Sequence, residues 1–181
     1  MFDELSPEMI AERDDLLAEI DAAFDGVTRE GGISWSEAAV WGCGRSIEQE
    51  ARVRASDTEE RWQDLVDDEE WEDGEGFSSS AFLDAIGYRY YLPATILRCV
   101  RGDESDYVVY RLMGNEGGPS DYQLEQWSLL DTRQRRCVAR FLSYMIRPDA
   151  TQKGSAWHHG GQLALDRYWS AFLPGSDRNE P

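Results

Sequence analysis

The chain has 181 residues, 41% hydrophobic and 12% aromatic, which suits one core of ordinary size and excludes global disorder. Its formal net charge of −18 argues against direct contact with nucleic acid or an anionic membrane, both polyanions, and favours a cationic partner. Cys43, Cys99 and Cys137 show no CxxC spacing, so a disulfide framework is not expected and a reducing cytoplasm is.

The acidic start, Met1 to Ser6, does not read as a signal peptide, and no apolar run is long enough to span a membrane. Lys153 is the single lysine among eighteen basic residues, a skew that fits a GC-rich bacterial coding sequence.

In chain order, Ser6-Pro7 predicts a helix start, Ser as N-cap and Pro in the first turn. Ile10, Leu17, Ile20 and Phe24 then form an apolar stripe, and Gly26 ends the helix. Residues 28–32 are a loop. Ser34 and Glu37 read as a capping box for a short helix to about Trp41, broken by the Gly-Cys-Gly of 42–44. Ser46 is expected to cap a helix through about Ala55, and Asp57 another through Leu65, with an exposed, turn-rich connection from Asp67 to Gly76.

One of the serines at 78–80 is expected to cap a short helix that stops at Gly87. Tyr88 to Tyr91 then read as extended, because residues leading into a proline avoid the helical region. Pro93 starts a helix through Val100, with Leu92, Ile96, Leu97 and Val100 facing inward. Residues 106–112, DYVVYRL, read as a strand and 114–120 as a loop. Asp131 opens the clearest helix, 132–146, with Val138, Phe141, Leu142 and Met145 inward and Arg133, Arg136 and Arg140 outward, Arg135 and Arg147 nearby; Pro148 stops it. Residues 151–161 read as a loop. Leu165, Tyr168, Trp169 and Phe172 form a last helical stripe. The expected architecture is mostly α: a single compact multi-helix domain over residues 1–174, with one or two short strands at most, and a frayed polar tail, 175–181.

The most unusual stretch lies between Asp57 and Glu75. Eleven of its nineteen residues are acidic, only Arg61 is basic, and Trp62 and Trp71 sit within it. Trp62 and Leu65 have helical spacing and read as core. Trp71 has acids on both sides, the pattern of an aromatic anchor ringed by charges that steer a cationic partner.

Other chemistry is sparse. His158 and His159 are adjacent, and neighbouring residues on one regular element point apart, so they make a poor metal chelate. Residues 42–46, GCGRS, resemble an anion loop but lack its lysine and preceding strand. Asp84 sits in an apolar stretch as a candidate acid or base, against an ion pair with Arg89 or a bond to the turn at Gly87 as the structural alternative. The arginine face of 132–147 is either an anion site or internal pairing with the chain's own acids.

The stretches ISWSEAAV (33–40), DTEERWQD (57–64) with DDEE (67–70), AFLDAIGYRYYLPA (81–94) and QRRCVARFL (134–142) together resemble a family of small bacterial proteins, domain of unknown function 6714, over most of residues 18–172. The resemblance implies that the acidic Asp57–Glu70 segment and the Tyr91-Leu92-Pro93 turn belong to the family's pattern, and it assigns no catalytic residue.

The expected function is an acidic cytoplasmic binding protein. It neutralises or docks onto a basic protein partner, a toxin or nuclease, in the manner of an immunity protein or antitoxin, by analogy with other small acidic bacterial proteins. Glu59, Glu60, Asp64, Asp67, Asp68, Glu69, Glu70, Glu72 and Asp73 supply charge and Trp71 the anchor. The alternatives are a nucleic-acid mimic of phage type and an enzyme built around Asp84, Arg89, Tyr91 and His158. No catalytic residue, metal ligand or cofactor is assigned.

Overall fold

The computed structural model describes residues 5–41, 47–69, 71, 79–102, 107–147 and 156–175. The molecule is mostly helical. Its described helices are α1 (Pro7–Ala23), α2 (Trp35–Trp41), α3 (Ile47–Arg54), α4 (Ala85–Arg101), α5 (Tyr107–Met113), α6 (Asp121–Gln126), α7 (Thr132–Met145) and α8 (Ala156–Arg167). Short 3₁₀ turns occupy Trp62–Leu65, Ser79–Phe82 and Trp169–Phe172. An isolated bridge between Asn115 and Gly118 is the one β feature among the described residues. No described helix is long and apolar enough to cross a membrane.

Several starts follow the expected local chemistry. Ser6 Oγ accepts from the Met9 amide, and Pro7 occupies the first turn of α1. Ser34 and Glu37 form the reciprocal capping box of α2. Asp131 and Gln134 do the same for α7, whose Val138, Phe141, Leu142 and Met145 are buried. Of the expected α1 stripe, Ile20 and Phe24 are buried and Leu17 packs against the core, while Ile10 is exposed and Met9, Leu16 and Ala23 complete the buried face. Where α1 ends, the Ala23 carbonyl accepts from Gln134 and the Phe24 carbonyl from the Trp62 indole, so the frayed end is closed by side chains from distant elements.

The centre of the fold is α4, buried on almost every side from Gly87 to Val100 except at Arg89. It corrects three expectations. Gly87 lies inside its first turn and does not stop a helix, Tyr88 to Tyr91 are helical, and Pro93 sits mid-helix. A proline there forfeits a bond to the Arg89 carbonyl, a cost of about 3 kcal/mol. The helix persists because its flanking residues, Tyr90, Tyr91, Leu92, Ala94, Ile96 and Leu97, are all in the core. Asp84 is its N-cap, accepting from the Gly87 amide at 2.8 Å and from the Ile33 amide at 3.0 Å.

Residues 107–113 form α5, a helix where a strand was expected. Val108, Val109 and Leu112 are buried at helical spacing, and tertiary packing overrides the β-branched preference. The glycines that made 151–161 read as a loop explain the packing. Gly160 and Gly161 are within α8, where a Cβ at Gly161 would stand 2.7 Å from Ile146 Cγ2. His158 and His159 therefore lie on a helix, half-buried and exposed respectively. Residues 42–46 and 151–155, with Cys43, lie outside the described residues.

The arginine face of α7 is consumed internally in part; Arg133 and Arg136 are exposed and make no ion pair among the described residues. Arg140 pairs with Glu19, and Arg147, just beyond the helix, pairs with Glu12, both acids on α1. Arg135 donates to the Leu130 and Trp127 carbonyls and to the Tyr168 hydroxyl, beneath a cluster of Trp127, Tyr168, Trp169 and Phe172.

Candidate binding site

The described part of the acidic segment, 57–69 with Trp71, is anchored to the fold at several points. Asp57, expected to begin a helix, instead reaches across to α2. One carboxylate oxygen accepts from the Ser36 amide at 2.9 Å and the other from its hydroxyl at 2.5 Å. A carboxylate at a helix N-terminus satisfies an orphan donor and meets the positive end of the dipole. The chain then passes Glu59 and makes the 3₁₀ turn Trp62–Leu65, which buries Trp62 and Leu65. It ends, among the described residues, at Trp71.

Trp71 overturns its expected place as a projecting anchor: it is only 8% exposed. Its ring centroid is 4.8 Å from that of Trp35 and 6.4 Å from that of Tyr91, and the Trp35 and Tyr91 rings are 5.2 Å apart. The acids on either side suggested a surface ring, but an indole gains more by covering two other aromatic rings than by standing in water.

Two arginines hold this trio from below. Arg98 lies over Trp71 at 5.4 Å, and its Nη1 donates to the carbonyls of Trp71 (2.7 Å), Asp68 (2.9 Å) and Leu65 (3.4 Å). Arg29 lies over Tyr91 at 5.9 Å, donates to the Tyr91 hydroxyl at 2.9 Å and to the Asp57 carbonyl at 3.1 Å. The Tyr91 hydroxyl in turn donates to Glu59 at 2.6 Å. Burial, then the Glu59 carboxylate, push the Tyr91 phenol far above its ordinary value. Burial lowers the Arg29 pKa, but Tyr91, Glu59 and Asp57 outweigh it and raise the guanidinium above its ordinary value.

Against Trp35 and Trp71 of the trio opens a cleft of about 830 Å³, walled also by Ser36, residues 56–61, Asp64, Leu65 and Asp68. Five of the wall residues are acidic, Asp57, Glu59, Glu60, Asp64 and Asp68, against Arg61 alone. They are not equivalent. Asp57 and Glu59 are committed to Ser36, Arg29 and Tyr91, and the Glu59 side chain is 8% exposed. Asp64 pairs with Arg61 at 2.8 Å, a hydrogen bond that holds its carboxyl below the usual carboxylate range, while the Arg61 side chain remains 70% exposed. Glu60 is exposed and within ion-pair distance of no arginine among the described residues.

Of the ten residues expected to meet a partner, the structure gathers Glu59, Glu60, Asp64, Asp68 and Trp71 around the cleft. Asp67 turns away to Arg101 at 2.8 Å, and Glu69 is exposed outside the lining. Glu70 is described by neither structure nor burial, and Glu72 and Asp73 also lie outside the described residues. Sequence reasoning missed Trp35, Arg29 and Arg98. Arg98, alone in the apolar run Ala94–Val100, carried a readable signal of a buried cation. Arg29, in a polar loop, carried none.

The residues of the enzyme alternative do not converge. Asp84 caps α4, Arg89 donates to Gln134, Tyr91 belongs to the network above, and His158 is on α8. Neither described cavity is lined by more than one of them. Among the described residues no group of three or more His, Cys, Asp or Glu side chains is arranged to hold a metal ion.

A family model matches residues 12–173, and the chain belongs to that family, the Family of unknown function (DUF6714). No curated protein and no solved structure matches it.

Proposed function

We propose that this protein is a binding module for a basic protein partner, an inhibitor of the immunity or antitoxin kind, and that the partner docks at the acidic cleft. The observation that carries the reading is the composition of one concave wall: five acidic residues and one arginine around two tryptophans. Carboxylates so placed steer a cationic surface toward the cleft and reject anionic ones, raising the on-rate more than the final affinity. The internal roles of Asp57 and Glu59, and the pairing of Asp64 and Asp67 with arginines, leave no regular row of free carboxylates among the described residues to imitate a phosphate backbone, which favours the cleft reading over the mimic alternative.

The test is capture of a partner from the source cell, followed by reconstitution from the two purified proteins and a titration at low and moderate salt. The double variant Glu60→Lys, Asp68→Lys, checked for an unchanged thermal transition, is the control. A reconstituted complex that weakens with salt and is lost in the variant supports the reading. A complex that the variant forms with undiminished affinity rejects the cleft as its seat.

A further inference from the structure

We infer that the cleft receives an arginine side chain of the partner, taken up in exchange for the protein's own Arg61; this rests on the cleft being the partner-binding site. The first argument is what the aromatic trio already holds. Trp71 and Tyr91 each carry a guanidinium of this chain, Arg98 at 5.4 Å and Arg29 at 5.9 Å, and each of those guanidiniums also donates to oxygen acceptors. The cleft offers the same two elements, the indoles of Trp35 and Trp71 in its wall with the carboxylates of Glu60 and Asp64. A guanidinium suits this pairing better than an ammonium, because it is planar, weakly hydrated and forked to match a carboxylate.

The second argument is an unsatisfied donor. Trp71 stands in the cleft wall, is 8% exposed, and its indole N–H has no hydrogen-bond partner. A buried donor left without an acceptor is costly; this N–H is itself shut off from solvent, so a ligand that supplies an oxygen gains by it where its entry turns the indole toward the cleft. An arginine within a peptide brings a main-chain carbonyl beside its cation, whereas a free polyamine brings no acceptor.

The third concerns Arg61. It is the one cation in the cleft wall, and its bond to Asp64 is exposed to water, so it is cheaply broken. An entering arginine can take the Asp64 carboxylate and leave Arg61 to solvent, with charge conserved at the site. Arg61 therefore acts as a resident competitor.

The experiment uses the full chain with its tryptophans labelled for indole N–H resonances. The probes are two short peptides of equal length and charge, one carrying arginines and the other lysines, and spermidine. The arginine peptide is expected to shift the Trp35 and Trp71 resonances saturably and to bind about tenfold more tightly than the lysine peptide. Glu60→Lys should weaken it about tenfold with an unchanged thermal transition, and Arg61→Ala should tighten it about threefold. Equal binding of the two peptides at these resonances overturns the arginine inference and leaves the basic-partner reading standing. Equal saturation by spermidine overturns it in favour of a small polycation. Saturable shifts confined to other tryptophans place the basic site elsewhere, and no saturable shift with any probe overturns both readings.

Discussion

Arg98 and Glu59 show how single side chains turn an acidic stretch of chain into a wall. Arg98 gathers three carbonyls of the segment, those of Leu65, Asp68 and Trp71, on one nitrogen. Replacing it with Met keeps an apolar stem but strands those acceptors under the Trp71 ring. Arg98→Met should cost about 3 kcal/mol, and Arg98→Lys less because a cation remains, with urea denaturation as the measure. Glu59 and Glu60 are adjacent and chemically identical, yet they differ in kind. Glu59 is shut in with Arg29 and Tyr91, and Glu60 faces water. Glu59→Gln should destabilise by about 1–2 kcal/mol through the lost charge beside Arg29, whereas Glu60→Gln should leave stability within about 0.5 kcal/mol. Equal losses in the two variants would show that the division between supporting and solvent-facing acids is wrong.

At the scale of elements, α4 depends on one close approach at its start. Asp84 ties its first turn to Ile33, and Gly87 is where the two backbones meet: a Cβ there would press into the Ile33 carbonyl oxygen and come within 3.1 Å of Leu83 Cδ2. Backbone cannot yield as a side-chain tip does. Gly87→Ala should therefore cost about 2–3 kcal/mol, read as a lowered urea midpoint. Gly117→Ala, where nothing stands within 4 Å, should change it by less than about 0.5 kcal/mol. The same helix marks the limit of what sequence discloses. Helix starts were legible at Ser6, Ser34 and Asp131, because capping chemistry is local and its residues are contiguous. The inward face of α7 was legible for the same reason, since one period governs it. Gly87, Pro93, Gly160 and Gly161 were misleading, because a glycine or proline is a breaker in isolation and a packing device in a buried helix. The acidic segment was legible as an unusual stretch but not as an architecture. The composition of 57–75 singled it out, whereas the burial of Trp71 depends on Trp35, Tyr91 and Arg98, which approach it only in the fold.

Across the whole molecule, the net charge of −18 and the buried phenols act together at high pH. Burial raises Tyr91 and Tyr90 well above the ordinary phenol value of 10.0, and the Cys137 thiol is pushed up to about 12 from 9.0. Each folded-state pKa is thus above its unfolded value. Below the unfolded values both states hold the proton, and the groups have no effect on stability. Between the unfolded and folded values the unfolded chain has released protons that the folded chain retains, so stability falls as pH rises. Thermal stability should therefore hold level near neutrality, begin to fall above about pH 9 as the unfolded thiol titrates, and fall more steeply once unfolded tyrosines ionise. Charge repulsion acts in the same direction, since every new thiolate or phenolate adds to an already anionic chain. On the acid side the sign reverses. Arg61 holds the Asp64 carboxyl low, so its contribution is present at neutral pH and lost as pH falls through the folded value, but both groups are exposed and the effect is small. Thermal melts across alkaline pH, paired with tyrosinate absorbance, check the argument. A share of the phenolate that appears only with loss of helical signal supports it. Tyrosines that all ionise near their ordinary value while the fold stays intact would mean that the Tyr90 and Tyr91 hydroxyls reach water, and with that the Arg29–Tyr91–Glu59 floor under the cleft would fail.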